Sequence, residues 1–447
     1  MSAAYPSAAR SHLLLTLLLL AYILSFIDRY ILAILVGPIR AEFEISDFQF
    51  SILHGWAFTM FYIVLGLPIA WLADRYNRRN IVSAGVFLWS LMTAACGLAN
   101  QFVTLFLARI GVGVGEAALS PAAYSLLSDS YPPKQLRWAT AIYAAGITLG
   151  SGTAFMVGGW VYEQLLAVAP LSLPQLGWEF KAWQLTFIAV GLPGLVIAAL
   201  LLCMAEPPRR HSTANVDAVG SGAVQTSWAE VKQHLSRFRS AYMGLIGGLS
   251  MMSVMGYGTL TWYPEFLFRT YGMGKAEAGA WLGSFFIIAG TAGTFSGPWF
   301  AGLLQRKGQV DANMRLVLWV ALILIVPSVA APLMPNQTLA LLLLAPIIFI
   351  FYTHFGVAMA GLQLITPNGM RAQVSALLLF MTNLFGLALG GSFIAFFTDF
   401  VFQGDQYLYR SLAVSALLIY PLAALLIARG LPQYRLALKS VIGEQDH

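Results

Sequence analysis

The sequence predicts an all-α integral membrane protein with twelve transmembrane helices in two pseudo-symmetric six-helix bundles. Three observations lead there. Apolar residues make up 59% of the 447-residue chain and charged residues only 10%, against about 25% charged in a soluble globular protein. Apolar runs long enough to cross a bilayer recur along nearly its whole length. The two halves also echo each other: Gly66/Gly297, Ala70/Ala301 and Arg75/Arg306 share one offset, 297 − 66 = 231 residues. A repeat of this kind marks a transporter whose site lies near the bilayer midplane.

Twelve spans are expected. The first half supplies residues 12–36, 48–72, 79–99, 102–127, 137–160 and 183–205. The second supplies 241–268, 277–304, 313–334, 338–362, 372–398 and 409–429. The first apolar run continues past Asp28-Arg29 to Val36, too long for a cleavable signal, so it reads as a span. The implied organisation is an N-terminal bundle over 1–205, a linker over 206–240, a C-terminal bundle over 241–429 and a tail over 430–447. Of the 25 Lys and Arg residues, 18 flank one set of span ends and five the other; Arg29 and Arg109 lie inside spans (18 + 5 + 2 = 25). By the positive-inside rule both termini and the linker are cytosolic.

The linker opens with Pro207-Pro208-Arg209-Arg210, continues through Ser, Gly and Ala, and closes with the capping-box pattern Ser227-Trp-Ala-Glu230. The residues that follow predict a short amphipathic helix, with Trp228, Val231, Leu235 and Phe238 on one side, lying on the inner membrane face. Cys96 and Cys203 form neither a disulfide framework nor a metal-ligand spacing. The pI of about 9.3 reflects loop residues between spans, so it does not indicate nucleic-acid binding. No nucleotide-binding motif and no paired nucleophile and base stand out. The expectation is a monomeric, cofactor-free membrane protein that is not an enzyme and is driven by gradients.

The chemistry concentrates in Arg109-Ile-Gly-Val-Gly-Val-Gly-Glu116. Seven residues apart, Arg109 and Glu116 share one helix face about 10 Å apart along the axis. Opposite charges inside a membrane-length segment are expensive, which points to function. An ion pair that merely locks helices together is the alternative. Asp28 and Arg29 on span one fall at comparable depth, so the four groups would form a formally neutral cluster for proton coupling. Glu116 is the leading proton carrier in this reading and Asp28 the second. Asp28-Arg29-Tyr30 also resembles the Asp-Arg-Tyr of seven-span receptors, but there it ends the third span, not the first. Candidate substrate contacts are Arg29, Tyr143, Tyr257, Thr291, Thr382, Asn383 and His354; His54 reads as a hydrogen-bonding packer.

The loop after span two, Ala70-Trp-Leu-Ala-Asp74-Arg75-Tyr-Asn77-Arg78-Arg79, resembles the loop signature of the major facilitator superfamily, with Ala70 and Asn77 where that signature has glycine. Arg109-x-Gly-x-Gly-x-Gly115-Glu-Ala resembles the same family's span-four signature. Within it, Ile27-Asp28-Arg29-Tyr30 and Gly113-Val-Gly115-Glu116-Ala-Ala-Leu-Ser-Pro121-Ala are similar to the spinster family. The resemblance implies a bacterial homologue in the inner (cytoplasmic) membrane that carries a lysophospholipid or a sphingosine 1-phosphate-like amphiphile. It also implies a conformational latch at Asp74, Arg75, Arg78 and Arg79. A multidrug-proton antiporter and a non-transporting membrane receptor or sensor remain the rival readings. The antiporter signature Gly-Pro-x-x-Gly-Gly is missing from span five, although Gly150, Gly152, Gly158 and Gly159 are present.

Overall fold

The computed structural model describes residues 5–173, 178–209 and 228–443. The chain is almost entirely helical. Eleven helices among the described residues are long and apolar enough to cross a membrane. They are span one (Ala8–Ile34), two (Asp47–Arg75), four (Phe102–Ser130), five (Pro133–Leu166) and six (Ala182–Cys203), then seven (Arg239–Tyr271), eight (Lys275–Arg306), nine (Ala312–Leu333), ten (Gln337–Leu364), eleven (Asn368–Val401) and twelve (Asp405–Val441). The helix at the third expected position, Arg78–Cys96, completes the twelve. Its opening Arg78-Arg79-Asn80 lowers its apolar average and sets it apart from the others.

Local chemistry explains most ends. Span two starts on a capping box in which Ser46 and Gln49 satisfy each other's backbone N–H groups. Asn77 caps span three and Asn336 caps span ten. Pro121 has no N–H to bond back to Ala117, and span four breaks there into Phe102–Glu116 and Leu119–Ser130. Glu116 is therefore the last residue of a helix in the middle of a span. Span two carries a π-helical turn at Ile52–Trp56, as do span seven at Met243–Gly247 and span eight at Phe286–Gly290.

Two compact units emerge from the packing. One comprises the described parts of Met1–Asp217 together with Leu267–Ile287; the other comprises those of Ala218–Phe266 and Ile288–His447. Within the first, spans three and six pack through close approaches of Gly191 and Gly194 to Ser90 and Ala94. Leu267–Ile287 packs with this unit because small residues meet: Gly279 and Gly283 of span eight lie against Phe155 and Gly152 of span five. Span five thus uses its glycines on two faces, for Gly150 and Gly158 lie against span one. The core of the second unit gathers side chains such as Met252, Val317, Leu324, Tyr420 and Ile427.

Three features differ from expectation. The tail does not leave the last helix: the helix runs on to Gly443, Tyr434 donates to the Gly361 carbonyl at 2.9 Å, and Ala437, Leu438 and Val441 are buried. The linker helix, Trp228–Arg237, turns its apolar side onto the second unit, with Val231 buried and Leu235 against the core, while Trp228 is exposed. His234 holds it there through the Tyr242 hydroxyl at 3.1 Å. Ser227 of the expected capping box, Arg210 and the rest of 210–227 lie outside the described residues, as does 444–447. Between spans five and six, Leu171–Leu173 pairs antiparallel with Trp178–Phe180, a hairpin that the sequence reading treated as a loop.

Candidate functional site

In the first unit, spans one and four bring four charged side chains into the interior. Asp28, Arg29, Arg109 and Glu116 are all buried, from 0% to 7% exposed. Arg29 Nη2 donates to Glu116 Oε2 at 2.5 Å, an ion pair closed off from solvent. Phe26 and Phe58 flank the same guanidinium, with ring centroids 5.1 and 4.6 Å from Cζ. Arg109 Nη1 donates to the backbone carbonyl of Asp28 at 3.0 Å. The two acids consequently differ. Glu116 has a cation on its carboxylate, whereas the Asp28 carboxylate faces the Thr93 hydroxyl and the Trp89 indole of span three.

Glycines make this approach possible. Gly113 lies against the Phe58 backbone of span two, and Gly115 against Trp89 and Gly85 of span three; a Cβ at Gly115 would sit 2.7 Å from the Trp89 nitrogen. The π-helical turn of span two places His54 against the Arg29 backbone, its ring centroid 6.4 Å from that of Tyr30. Tyr143, fully buried, stacks on Tyr22 at 4.7 Å and meets Tyr124 edge-on at 5.2 Å. It belongs to an aromatic wall of this unit.

The candidates of the second unit sit at helix irregularities. Thr291 follows the π-turn of span eight, and Thr382-Asn383 precede another at Leu384–Leu389. The Tyr257 ring lies against Gly386. His354 occupies the break in span ten between Tyr352 and Phe355; its ring nitrogen bonds the Phe351 carbonyl, and its ring lies 5.0 Å from Phe351 and 4.8 Å from Phe355. Thr382 donates to the Leu378 carbonyl of its own helix at 2.9 Å.

At the ends bearing the basic loops, the expected latch residues divide. Asp74 is exposed, and among the described residues its carboxylate makes no ion pair. Arg209 caps the end of span two by donating to the carbonyls of Ala73, Asp74 and Tyr76. Arg78 is the hub: it pairs with Asp129, with Glu206 at 3.0 Å, and donates to the Ser125 hydroxyl at 2.9 Å. At the opposite ends, Asp47 is fully buried between Arg269, which grips both carboxylate oxygens at 2.7 and 2.8 Å, and Arg40 at 3.0 Å. Ala276 N–H donates to Glu163 at 2.7 Å beside it. In the second unit Asp311 joins Arg315 at 3.0 Å and Arg435 at 2.7 Å.

The sequence reading gave Thr93, Trp89, Asp129, Glu206 and Asp47 no role. Each was visible as a lone polar group in or beside an apolar run, and Glu206 stands before a Pro-Pro pair. Their partners lie between 46 and 222 residues away, a separation that no local pattern reveals.

Residues 18–393 match the Major Facilitator Superfamily. An MFS-type efflux pump of Mycolicibacterium smegmatis is 28% identical over 81% of this chain and 79% of its own length. Mouse protein spinster homolog 1 is 32% identical over 59% of this chain, a match that spans about half (47%) of the mouse protein. A bacterial homologue of the human lysosomal transporter spinster, crystallised inward-facing and unoccupied, superposes with a TM-score of 0.78 at 26% identity, over 98% of this chain and 99% of that one. Its occupied form gives 0.75 at 28% identity, over 97% and 98%. With its multi-pass helical fold and its match over most of its length, this chain belongs to the major facilitator superfamily, as a secondary transporter of small molecules that works by alternating access and is not an enzyme.

Proposed function

We propose that this transporter moves an amphiphile of lysolipid or sphingolipid-like chemistry and couples that movement to protons at the Asp28–Arg29–Arg109–Glu116 cluster. The observation that carries the reading is the inequality of two equally buried acids. Glu116 is neutralised by Arg29, while Asp28 is held only by uncharged donors and the nearby field of Arg109. Asp28 is therefore the carboxyl that exchanges the proton, and Glu116 the partner that keeps Arg29 in place. This reverses their order in the sequence reading. With both acids ionised the cluster is neutral; a proton leaves one net positive charge, which favours an anionic headgroup. Binding of proton and headgroup is then reciprocal. The aromatic wall of Tyr22, Phe26 and Tyr143 offers apolar surface for the rest of the amphiphile.

The lipid-like substrate rests on the similarity to the spinster homologues; the similarity to an efflux pump favours a second reading, proton-driven export of amphipathic drugs. The protein acts as a monomer in a bacterial inner membrane, with both termini in the cytosol and residues 206–240 tethering the two bundles. The loop from Asp74 to Arg79 is its latch, with Arg78 at the centre. Proteoliposomes carrying the purified protein test the function. An imposed pH gradient drives lysophosphatidylcholine movement in the wild type and not in Asp28→Asn. Ethidium movement without lysophosphatidylcholine movement would replace the lipid reading with the drug reading, and a pH-independent flux would remove the coupling.

A further inference from the structure

We propose that Thr93 and Trp89 of span three are positioning residues that hold the Asp28 carboxyl and set the pH at which it exchanges its proton. This rests on the proton-coupled reading of the cluster. Trp89 and Thr93 stand one helical turn apart on one face of span three, both fully buried. The neighbouring face is committed to span six, where Ser90 meets Gly194 and Ser83 donates to the Ala198 carbonyl at 2.7 Å. The close approach of Gly85 to Gly115 fixes span three against span four, next to Glu116.

Other buried hydroxyls within spans bond back to their own helix: Thr186 to Ala182, Ser250 to Ile246, Thr382 to Leu378. Thr93 does not, and neither its hydroxyl nor the Trp89 indole N–H has a partner other than Asp28 among the described residues. A buried donor without a partner costs stability, so two of them aimed at one carboxyl are accounted for by that carboxyl. The charged and titratable groups around it are Arg109 and Glu116 of span four, the adjacent Arg29 and the Cys96 thiol of span three.

Both donors favour the ionised carboxylate, and Thr93→Val removes one of them with little change of shape. The test follows the infrared carboxyl C=O band of the purified full-length protein in lipid nanodiscs through a pH titration, with Asp28→Asn identifying which band belongs to Asp28. In Thr93→Val the midpoint of that band moves to higher pH by about one unit, and the band changes position. Trp89→Phe acts in the same direction, and Thr93→Ser restores the wild-type midpoint. Wild-type midpoint and band position in both Thr93→Val and Trp89→Phe, with the band still lost in Asp28→Asn, would overturn the positioning role and leave the coupling reading standing. If no band depends on Asp28, both are overturned. Trp89→Phe keeps the experiment decisive should Thr93→Val fail to fold.

Discussion

Replacing Glu116 by Gln is expected to destabilise the protein much more than replacing Asp28 by Asn, although the two acids are equally buried. In Glu116→Gln the Arg29 guanidinium keeps its charge and loses the carboxylate 2.5 Å away, with both side chains closed to solvent. Removing one partner of such a pair costs about 3–5 kcal/mol. The rings of Phe26 and Phe58 remain beside the orphaned cation and return about 1 kcal/mol, leaving a net loss of about 2–4 kcal/mol. Asp28→Asn breaks no ion pair: the amide oxygen still accepts from Thr93 and Trp89, and the Arg109 bond goes to the Asp28 backbone. Its cost is about 1 kcal/mol, the scale of one perturbed hydrogen bond. Equilibrium unfolding of the purified variants in mixed micelles measures both, and the double variant Arg29→Gln/Glu116→Gln completes a cycle. The double variant should be more stable than Glu116→Gln alone, because it removes the unpaired charge. Equal losses for the two acids, or a double variant with purely additive losses, would refute the assignment of Glu116 as the ion-paired member.

Asp47→Asn leaves Arg269 and Arg40 facing a neutral group and should raise hydrogen exchange in Lys275–Phe285 several-fold while leaving span three unchanged. Arg78→Gln should lower the unfolding temperature by several degrees because it strands Asp129 and Glu206, whereas Asp74→Asn should stay within about 0.5 kcal/mol of wild type. Asp311 lies outside the spans. Burial pushes its carboxyl up, but hydrogen bonds and charges from Arg315 and Arg435 outweigh burial and hold it below the ordinary carboxylate range. A depressed acid contributes stability that is complete above its ordinary value and is lost as pH falls through its folded value. The difference in unfolding temperature between wild type and Asp311→Asn should therefore be full at pH 7 and shrink below about pH 4.

The sequence by itself determined the spans, because bilayer crossing demands long apolar helices and the chain has no other way to satisfy its backbone inside lipid. It also determined that Asp28, Arg29, Arg109 and Glu116 matter, since charges in apolar runs are costly wherever the helices end up. The linker helix at Trp228–Arg237 was legible for a similar reason: its apolar residues recur with helical spacing. Only the tertiary structure decided who meets whom. Arg29 reaches Glu116, and Arg109 spends a donor on a carbonyl, because Gly113 and Gly115 let spans two and three press against span four at that depth. Leu267–Ile287 joins the first unit, and Arg78 finds Asp129 and Glu206, through contacts across more than 45 residues of chain. Helical period and hydropathy act over a few turns, whereas the register between helices depends on which small residues face one another, and that is a property of the packed bundle.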